Sequence, residues 1–178
     1  MIVSGPPASG KSTIALPLAR ALGLPLVAKD VVKEALAESL GAGTLERSRE
    51  LGRATYGVIF ALARSHLDTG AGLVLEANFA RAVSEVGLRP LVAGSRAVMV
   101  HCWAPREVLV ARYRARAGRR HPAHLDLLRL EAGPPWLDPP ATEPPDLDVP
   151  CLRLDTTAPV DVGAVAAWTR AELAAQRR

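Results

Sequence analysis

One short segment near the start of the chain restricts the fold more than any other feature. Two glycines five positions apart are followed directly by lysine and serine, between an apolar stretch at 1–4 and a helical pattern over about 11–22. Glycines let the backbone curl so that successive N–H groups point inward, and a helix N-terminus adds partial positive charge. This context predicts a phosphate-binding loop between a strand and a helix, with the sequence Gly5-Pro6-Pro7-Ala8-Ser9-Gly10-Lys11-Ser12.

The residues after the second glycine indicate which ligand the loop binds. We expect Lys11 to bridge the β- and γ-phosphates of ATP, Ser12 to ligate Mg²⁺, and Thr13 to border the phosphates. A dinucleotide site is excluded, because Pro7 stands where that fingerprint needs its middle glycine and Lys11 has no role there. The Asn-Lys-x-Asp motif that reads guanine is missing from the sequence, which favours ATP over GTP.

Strand and helix patterns alternate along the chain, which is typical of an α/β domain with a parallel sheet. We expect the 178 residues to form a single domain, 1–178, with a proline-rich surface loop over 133–150 that holds seven of the fifteen prolines. The predicted strands cover 1–4, 24–28, 73–75, 97–102 and 151–154. The predicted helices cover 11–22, 31–40, 45–68, 80–92, 106–117 and 161–176.

Composition narrows the class of protein. Hydrophobic residues make up 49% of the chain but aromatic residues only 4%, so the core is expected to be aliphatic. No apolar run approaches the roughly 20 residues that span a bilayer, and the phosphate loop opens at residue 5. We therefore expect a cytoplasmic protein with no membrane partner. Cys102 and Cys151 are too few for a disulfide framework and are predicted to be buried strand thiols.

The net charge of +4 comes from an arginine-rich sequence with nineteen arginines and three lysines. This balance fits a polyanionic partner such as nucleic acid, but it fits a compositional bias toward arginine equally well. The seven aromatic residues give no visible platform for stacking bases. Nucleic acid therefore stays the less favoured partner.

Several further segments, taken together with the loop, resemble one superfamily of small P-loop kinases. It includes the AAA-type "predicted kinases", the chloramphenicol phosphotransferase-like enzymes and the kinase domain of polynucleotide kinase. The resemblance covers nearly the whole chain apart from the proline-rich loop. The segments that carry it are Gly5 to Ser12, Lys29-Asp30-x-x-Lys33, Leu75-Glu76-Ala77-Asn78-Phe79, Arg112-x-x-x-Arg116, Arg120-His121-Pro122 and Asp155-Thr156-Thr157.

The resemblance implies a three-layer P-loop fold with a five-stranded parallel sheet in the order 2-3-1-4-5 and helices on both faces. It also implies transfer of the γ-phosphoryl group to a hydroxyl. Asp30 matches the position of the base that accepts the hydroxyl proton, although an aspartate there could also cap the next helix. Glu76 ends the third strand, so it or Asp30 could hold Mg²⁺ through water, or Glu76 could bind the acceptor.

Arginines and two flanking regions complete the candidate site. Arg112, Arg116 and Arg120 recur every four residues and would share one face if the helix continued that far. We expect them in a mobile lid over about 112–125, with Arg112 and Arg116 binding ATP. Arg116 and Arg120 are expected to be catalytic, together with Lys11 and Asp30. The resemblance places Asp155, Thr156 and Thr157 near the adenine. It places acceptor-binding residues in the helices over about 31–68 and beside the third strand, with Lys33, Arg53, Tyr56, Glu76 and Asn78 as candidates.

The function favoured by the sequence is therefore phosphoryl transfer from ATP to a hydroxyl of a small molecule. A nucleic acid 5′-hydroxyl kinase is the alternative within enzymes. An ATP-binding regulatory module with slow hydrolysis is the alternative outside them. Asp30 favours an enzyme, because a pure switch needs no general base facing an acceptor pocket. The sequence leaves the acceptor and the oligomeric state open.

Overall fold

Five parallel strands form one sheet in the computed structural model, which describes residues 1–131 and 137–176. The strand order is β2-β3-β1-β4-β5, and every neighbouring pair is parallel. The expected sheet order and fold class are therefore confirmed. The strands are β1 (Ile2–Ser4), β2 (Leu26–Ala28), β3 (Val74–Glu76), β4 (Met99–Trp103) and β5 (Cys151–Asp155).

Helices cover both faces of this sheet. Along β1 the side chains alternate, so Ile2 packs in the cluster that includes α3 and α4, whereas Val3 packs in the cluster with α1 and α7. Two-sided burial explains why the central strands are mostly apolar and why their residues are nearly all buried. The helices are α1 (Lys11–Leu22), α2 (Lys29–Leu40), α3 (Leu45–Asp68), α4 (Glu85–Ala93), α5 (Arg106–Arg116), α6 (Asp126–Glu131) and α7 (Val162–Ala175).

The structure departs from the predicted helices mainly at the start of the fourth helix and in the segment after the fifth, whereas α2 and α7 differ from prediction by one or two residues at their ends. The fourth helix begins at Glu85 and not near residue 80, because residues 81–83 form a turn in which Ala82 has a φ of 63°. The fifth helix ends at Arg116, and Gly118 follows with a φ of 80°. A 3₁₀ turn over Pro122–His124 and the short α6 come next, and neither was predicted. The arginine-rich segment is thus a helix end, a turn and a new helix.

Cys102 is buried in β4 as expected, but the prediction for Cys151 is wrong, because that residue is exposed. The reason is topological, since β5 is an edge strand whose residues alternate between exposed and half-buried. In the proline-rich region, residues 137–150 are described, whereas the part of the predicted loop over 133–136 lies outside the described residues. Within the ranges given above, no helix is both long enough and apolar enough to cross a membrane.

A buried histidine joins the sheet to the proline-rich region. His101 of β4 is fully buried, with Nδ1 2.9 Å from Ser4 Oγ and Nε2 3.0 Å from the Thr142 carbonyl oxygen. A neutral ring with its proton on Nε2 donates to Thr142 and accepts from Ser4, which satisfies both nitrogens. Burial lowers the pKa of His101 to about 4, although the Thr142 carbonyl acts in the opposite direction. His101 is therefore neutral in the folded protein.

This arrangement predicts an acid sensitivity. The depressed pKa of His101 contributes stability that is present above about pH 6.5 and is lost as pH falls toward 4, because the unfolded chain binds the proton first. The free energy of unfolding should fall by about 2 kcal/mol between pH 7 and 4.5 from this group alone. Denaturant titrations across that range should show a shallower decline in His101→Gln than in the wild type. His66→Gln, on α3, is the matched control and should keep the wild-type slope.

Candidate active site

The predicted phosphate loop has the backbone that its glycines were expected to allow. Gly5 has a φ of 140°, and a Cβ there would lie 2.2 Å from the Cys102 carbonyl oxygen, so β4 leaves no space for a side chain. Gly10 has a φ of 82° and forms the start of α1. Lys11 is buried, and its Nζ donates to the Pro6 carbonyl oxygen at 2.9 Å. The lysine is therefore folded back over its own loop.

A cavity of about 550 Å³ opens at the loop. Residues that follow β1, β2, β3 and β5 line it, so it lies at the carboxyl edge of the sheet, where open α/β sheets bind ligands. Most of the residues singled out from the sequence meet here. Those that line the cavity are Pro7, Ala8, Gly10, Lys11, Ser12, Thr13, Asp30, Lys33, Glu76, Asn78, Arg112, Arg116, Arg120 and Thr156.

Other candidates lie away from the described lining of the cavity. Arg53 is exposed on α3 and is not among the lining residues of the described chain, so its expected acceptor role has no support in the geometry. Tyr56 stands behind the lining, where its hydroxyl donates to Asn78 Oδ1 at 3.2 Å. Asp155 and Thr157 are exposed and form a turn in which the Thr157 N–H donates to Asp155. Gly5, Pro6 and Ser9 shape the loop from its inner side.

Asp30 is surrounded by positive charge. Its Oδ2 accepts from Arg120 Nη2 at 2.6 Å, and its Oδ1 lies 3.7 Å from Lys29 Nζ. Burial acts to raise the pKa of Asp30, but Lys29, Arg120 and His124 together outweigh burial and lower it to about 2. The carboxylate is therefore ionised at any physiological pH. Asp30 occupies the first turn of α2 and is not its N-cap residue, which is Ala28.

The three spaced arginines reach the cavity by two routes. Arg112 and Arg116 project from α5, whereas Arg120 returns through the turn after Gly118, because the helix ends before it. Arg112 donates to the Thr156 hydroxyl at 3.0 Å and to its carbonyl oxygen at 2.6 Å. This contact ties α5 to the segment after β5 and brings Thr156 against Gly10.

The residues that hold Arg120 in place were not predicted from the sequence. Asp126, at the start of α6, accepts from Tyr113 at 2.7 Å and from Arg120 at 3.4 Å. His124 Nε2 lies 2.7 Å from Glu34 and 3.0 Å from Arg120. The sequence predicts a mobile lid in this segment, and at Arg120 the carboxylates of Asp30 and Asp126 offset repulsion from the neighbouring guanidinium groups. The spacing of Glu34 four residues after Asp30 is the one signal that could have revealed part of this set.

The site also contains groups suited to phosphates and to a divalent cation. Within the described residues, Ser9 Oγ and Arg116 Nε are buried and have no hydrogen-bond partner in the protein. Burial raises the pKa of Glu76, although Lys11 acts in the opposite direction. Burial likewise lowers the pKa of Lys11, opposed by Glu76 and Asp30. Arg116 lines the cavity, so an anionic phosphate there could accept from its guanidinium group, and Ser12, Glu76 and Asp30 carry oxygen ligands of the kind Mg²⁺ prefers.

A glycine-rich phosphate loop at the carboxyl edge of a parallel sheet in this order defines a P-loop nucleotide-binding protein of the kinase type. Comparison with known families gives the same class, because the pattern of the family described as "AAA domain" matches residues 1–140. The chain belongs to this family.

Similar proteins carry kinase names. A structure from Chloroflexus aurantiacus assigned as a kinase is 32% identical, with a TM-score of 0.84 and 96% of each chain covered. The APS kinase CysC of Mycobacterium tuberculosis is 22% identical, with a TM-score of 0.59 and coverage of 98% of this chain and 96% of that one, and it supports the fold alone. A cytidylate kinase of Ignicoccus hospitalis is 50% identical over 46 residues, which span only 26% of this chain and 27% of the relative.

Proposed function

We propose that this protein transfers the γ-phosphoryl group of ATP to a hydroxyl group of a small molecule. One observation carries the proposal: Asp30 faces the same cavity as the phosphate loop, and Lys11 contributes to the electrostatic environment that sets its pKa. A carboxylate in that position can receive a proton from a second substrate bound beside the triphosphate. A module that only binds nucleotide has no use for it.

The proposed reaction assigns a role to each charged group. The acceptor oxygen forms a bond to the γ-phosphorus while the bond from that phosphorus to the bridging oxygen of ADP breaks, and the hydroxyl proton passes to Asp30. Lys11 and Arg116 offset the negative charge that spreads over the phosphoryl oxygens and the departing ADP. Ser12, with Glu76 or Asp30 through water, would hold Mg²⁺, which supplies further charge neutralisation when bound. Arg112 and Thr156 form the wall beside Gly10.

Arg120 couples the phosphates to the base in this scheme. It is bonded to Asp30 and lines the cavity that we assign to the triphosphate. A bound triphosphate would compete with Asp30 for the Arg120 guanidinium, because phosphate oxygens accept charge-assisted hydrogen bonds from arginine just as carboxylate oxygens do. Transfer of Arg120 to the phosphates would raise the pKa of Asp30 from its depressed value and leave the carboxylate free to accept a proton.

Removing the guanidinium groups of Arg116 and Arg120 together tests their proposed role in stabilising the transferred phosphoryl group. Arg116→Ala combined with Arg120→Ala should lower kcat by about 10²–10³ while the KM values for ATP and acceptor change far less, since the charge is needed mainly in the transition state. In the wild type, hydrogen exchange should show that an ATP analogue protects residues 112–125.

The control is the double variant Arg114→Ala and Arg119→Ala, which removes two exposed arginines from the same segment and should show wild-type kinetics and protection. Equal protection with and without the analogue, together with normal turnover in the first double variant, would contradict the lid role.

Transfer of radioactive label tests the function itself. The protein would be incubated with γ-labelled ATP, Mg²⁺ and fractions of a metabolite pool, with 5′-hydroxyl oligonucleotides in a separate arm. The proposal predicts label in a small organic product. Label on the oligonucleotide that declines steeply with salt would instead identify a nucleic acid kinase. Label released only as inorganic phosphate, at a rate that no fraction changes, would favour the regulatory module.

A further inference from the structure

Three helices bring two cations to one hydroxyl on the wall of the cavity. Lys33 of α2 donates through Nζ to Ser48 Oγ of α3 at 2.8 Å, and Arg129 of α6 reaches the same oxygen with Nη2 at 3.5 Å. Ser48 in turn donates to the Ala123 carbonyl oxygen at 2.7 Å. Lys33 and Arg129 both line the cavity, although Lys33 is only 3% exposed. The two cations therefore flank a single neutral oxygen.

Neither cation has a carboxylate partner among the residues that the structure describes. Arg120 differs, because it is bonded to Asp30 and Asp126, and Lys29 differs, because it faces Asp30. Lys33 is bonded to a hydroxyl, and the Nε of Arg129 is bonded to the His124 carbonyl oxygen at 2.9 Å. Burying a charge without an opposite charge beside it costs free energy, and a bound anionic ligand can supply the missing opposite charge. This pair thus has the features of a binding site for an anion.

The position of Lys33 and Arg129 relative to Asp30, the proposed base, indicates what a bound anion would do. Lys33 lies three residues after Asp30 on α2, so the two side chains share one face of the helix. Both line the same cavity as the phosphate loop. An anionic group held by Lys33 and Arg129 would therefore anchor a molecule whose hydroxyl lies close to Asp30. The triphosphate would occupy the loop on the other side of that carboxylate.

We propose that Lys33 and Arg129 form an anion subsite, and that the acceptor is a hydroxylated compound that also carries a carboxylate or phosphate group. This inference rests on the proposed phosphotransferase function and specifies its substrate class. The shared chemistry is a compact anion with several acceptor oxygens, which matches the forked donors of arginine and the point charge of lysine. A neutral sugar or alcohol would leave both cations without a counter-charge.

The electrostatic environment of Lys33 is consistent with this role. Burial lowers the pKa of Lys33, and the positive charges of Lys29, Arg129 and Arg120 lower it further, to about 8, against the opposing effect of Asp30. His124 also faces this group. A bound anion would relieve the repulsion between the cations and stabilise the protonated lysine.

Anion binding with the nucleotide site filled is the direct test. The protein would be saturated with the ATP analogue AMPPNP and Mg²⁺, so that the phosphate loop is blocked, and then titrated separately with inorganic phosphate and with acetate. Chemical shifts of the Ser48 and Ala123 amides would report on the subsite. We expect saturable binding of at least one anion, and the one that binds more tightly indicates which group the acceptor carries. Lys33→Met and Arg129→Gln should each weaken that binding by at least about tenfold.

Matched variants separate the possible outcomes. Arg49→Gln removes an exposed charge beside Ser48 on α3 and should bind the anion as the wild type does. AMPPNP affinity should stay within about threefold in all three variants, because the loop is untouched. Loss of AMPPNP binding in the wild type would contradict the proposed function. Normal AMPPNP binding with no saturable anion binding, or with equal anion affinity in Lys33→Met, Arg129→Gln and the wild type, would overturn the subsite alone.

Discussion

Replacing Lys11 with alanine should lower ATP affinity at least about 100-fold and kcat/KM by about 10³ or more, while the fold stays intact. Among the residues that the structure describes, the buried side chain donates a hydrogen bond to the Pro6 carbonyl oxygen of its own loop and lies outside the apolar clusters, so it adds charge to the site and little packing to the core. Burial disfavours the charged form of Lys11 and lowers its pKa, and nearby phosphate oxygens would stabilise that charged form. Calorimetry for the nucleotide, together with circular dichroism and thermal melting for the fold, measures both parts.

A control variant in the same helix distinguishes an effect at the phosphate loop from the loss of one positive charge alone. Arg20→Ala also removes one positive charge from α1, but at its exposed C-terminal end. This variant should bind ATP and turn over as the wild type does. If folded Lys11→Ala retains wild-type ATP affinity, or if Arg20→Ala loses as much, the phosphate-loop assignment is wrong.

The Asp30→Asn variant should lower kcat by about 10²–10⁴, the range for loss of a positioned general base, with ATP affinity within a few-fold of wild type. Asparagine keeps the size of the side chain and can still accept a bond from Arg120, so the local structure should survive. What it loses is the capacity to take the hydroxyl proton. Steady-state kinetics with a labelled acceptor, alongside ATP binding by calorimetry, separates the two effects.

Glu38→Gln is the matched control for Asp30, because it neutralises an exposed carboxylate on the same helix. Its kinetics should match the wild type. An Asp30→Asn variant that phosphorylates its acceptor at the wild-type rate would reduce Asp30 to a residue that positions Arg120 and favours the first turn of α2 by its charge.

Short-range patterns in the sequence predicted much of this architecture. The spacing of Gly5, Gly10 and Lys11 requires one backbone conformation, and alternating apolar segments predicted all five strands and the long α3. Sheet order came from the resemblance, since periodicity alone does not specify which strands are neighbours. The structure also brings Asp30 and Glu76 to one cavity, because carboxyl ends of parallel strands meet at the same edge.

Contacts between distant segments could not be predicted. Arg120 would share the helical face of Arg112 and Arg116 only if the helix continued that far, but Gly118 adopts a positive φ and the chain turns before Arg120 reaches Asp30. The Arg129–Ser48 contact joins helices 81 positions apart in sequence, and no local pattern specifies such a pairing. Arg53 shared the helical pattern of its neighbours, yet only the packing of α3 reveals that it faces outward.

A crystal structure with AMPPNP and Mg²⁺ would show directly whether the triphosphate and the proposed base share one cavity. We expect the triphosphate in the loop between Gly5 and Ser12, with the γ-phosphate facing Lys11, Arg116 and the Asp30 carboxylate. Arg120 should have left Asp30 for the phosphates, and Lys33 should remain on the opposite wall. A nucleotide bound outside the loop, or a γ-phosphate directed away from Asp30 with Arg120 still paired to that carboxylate, would contradict it.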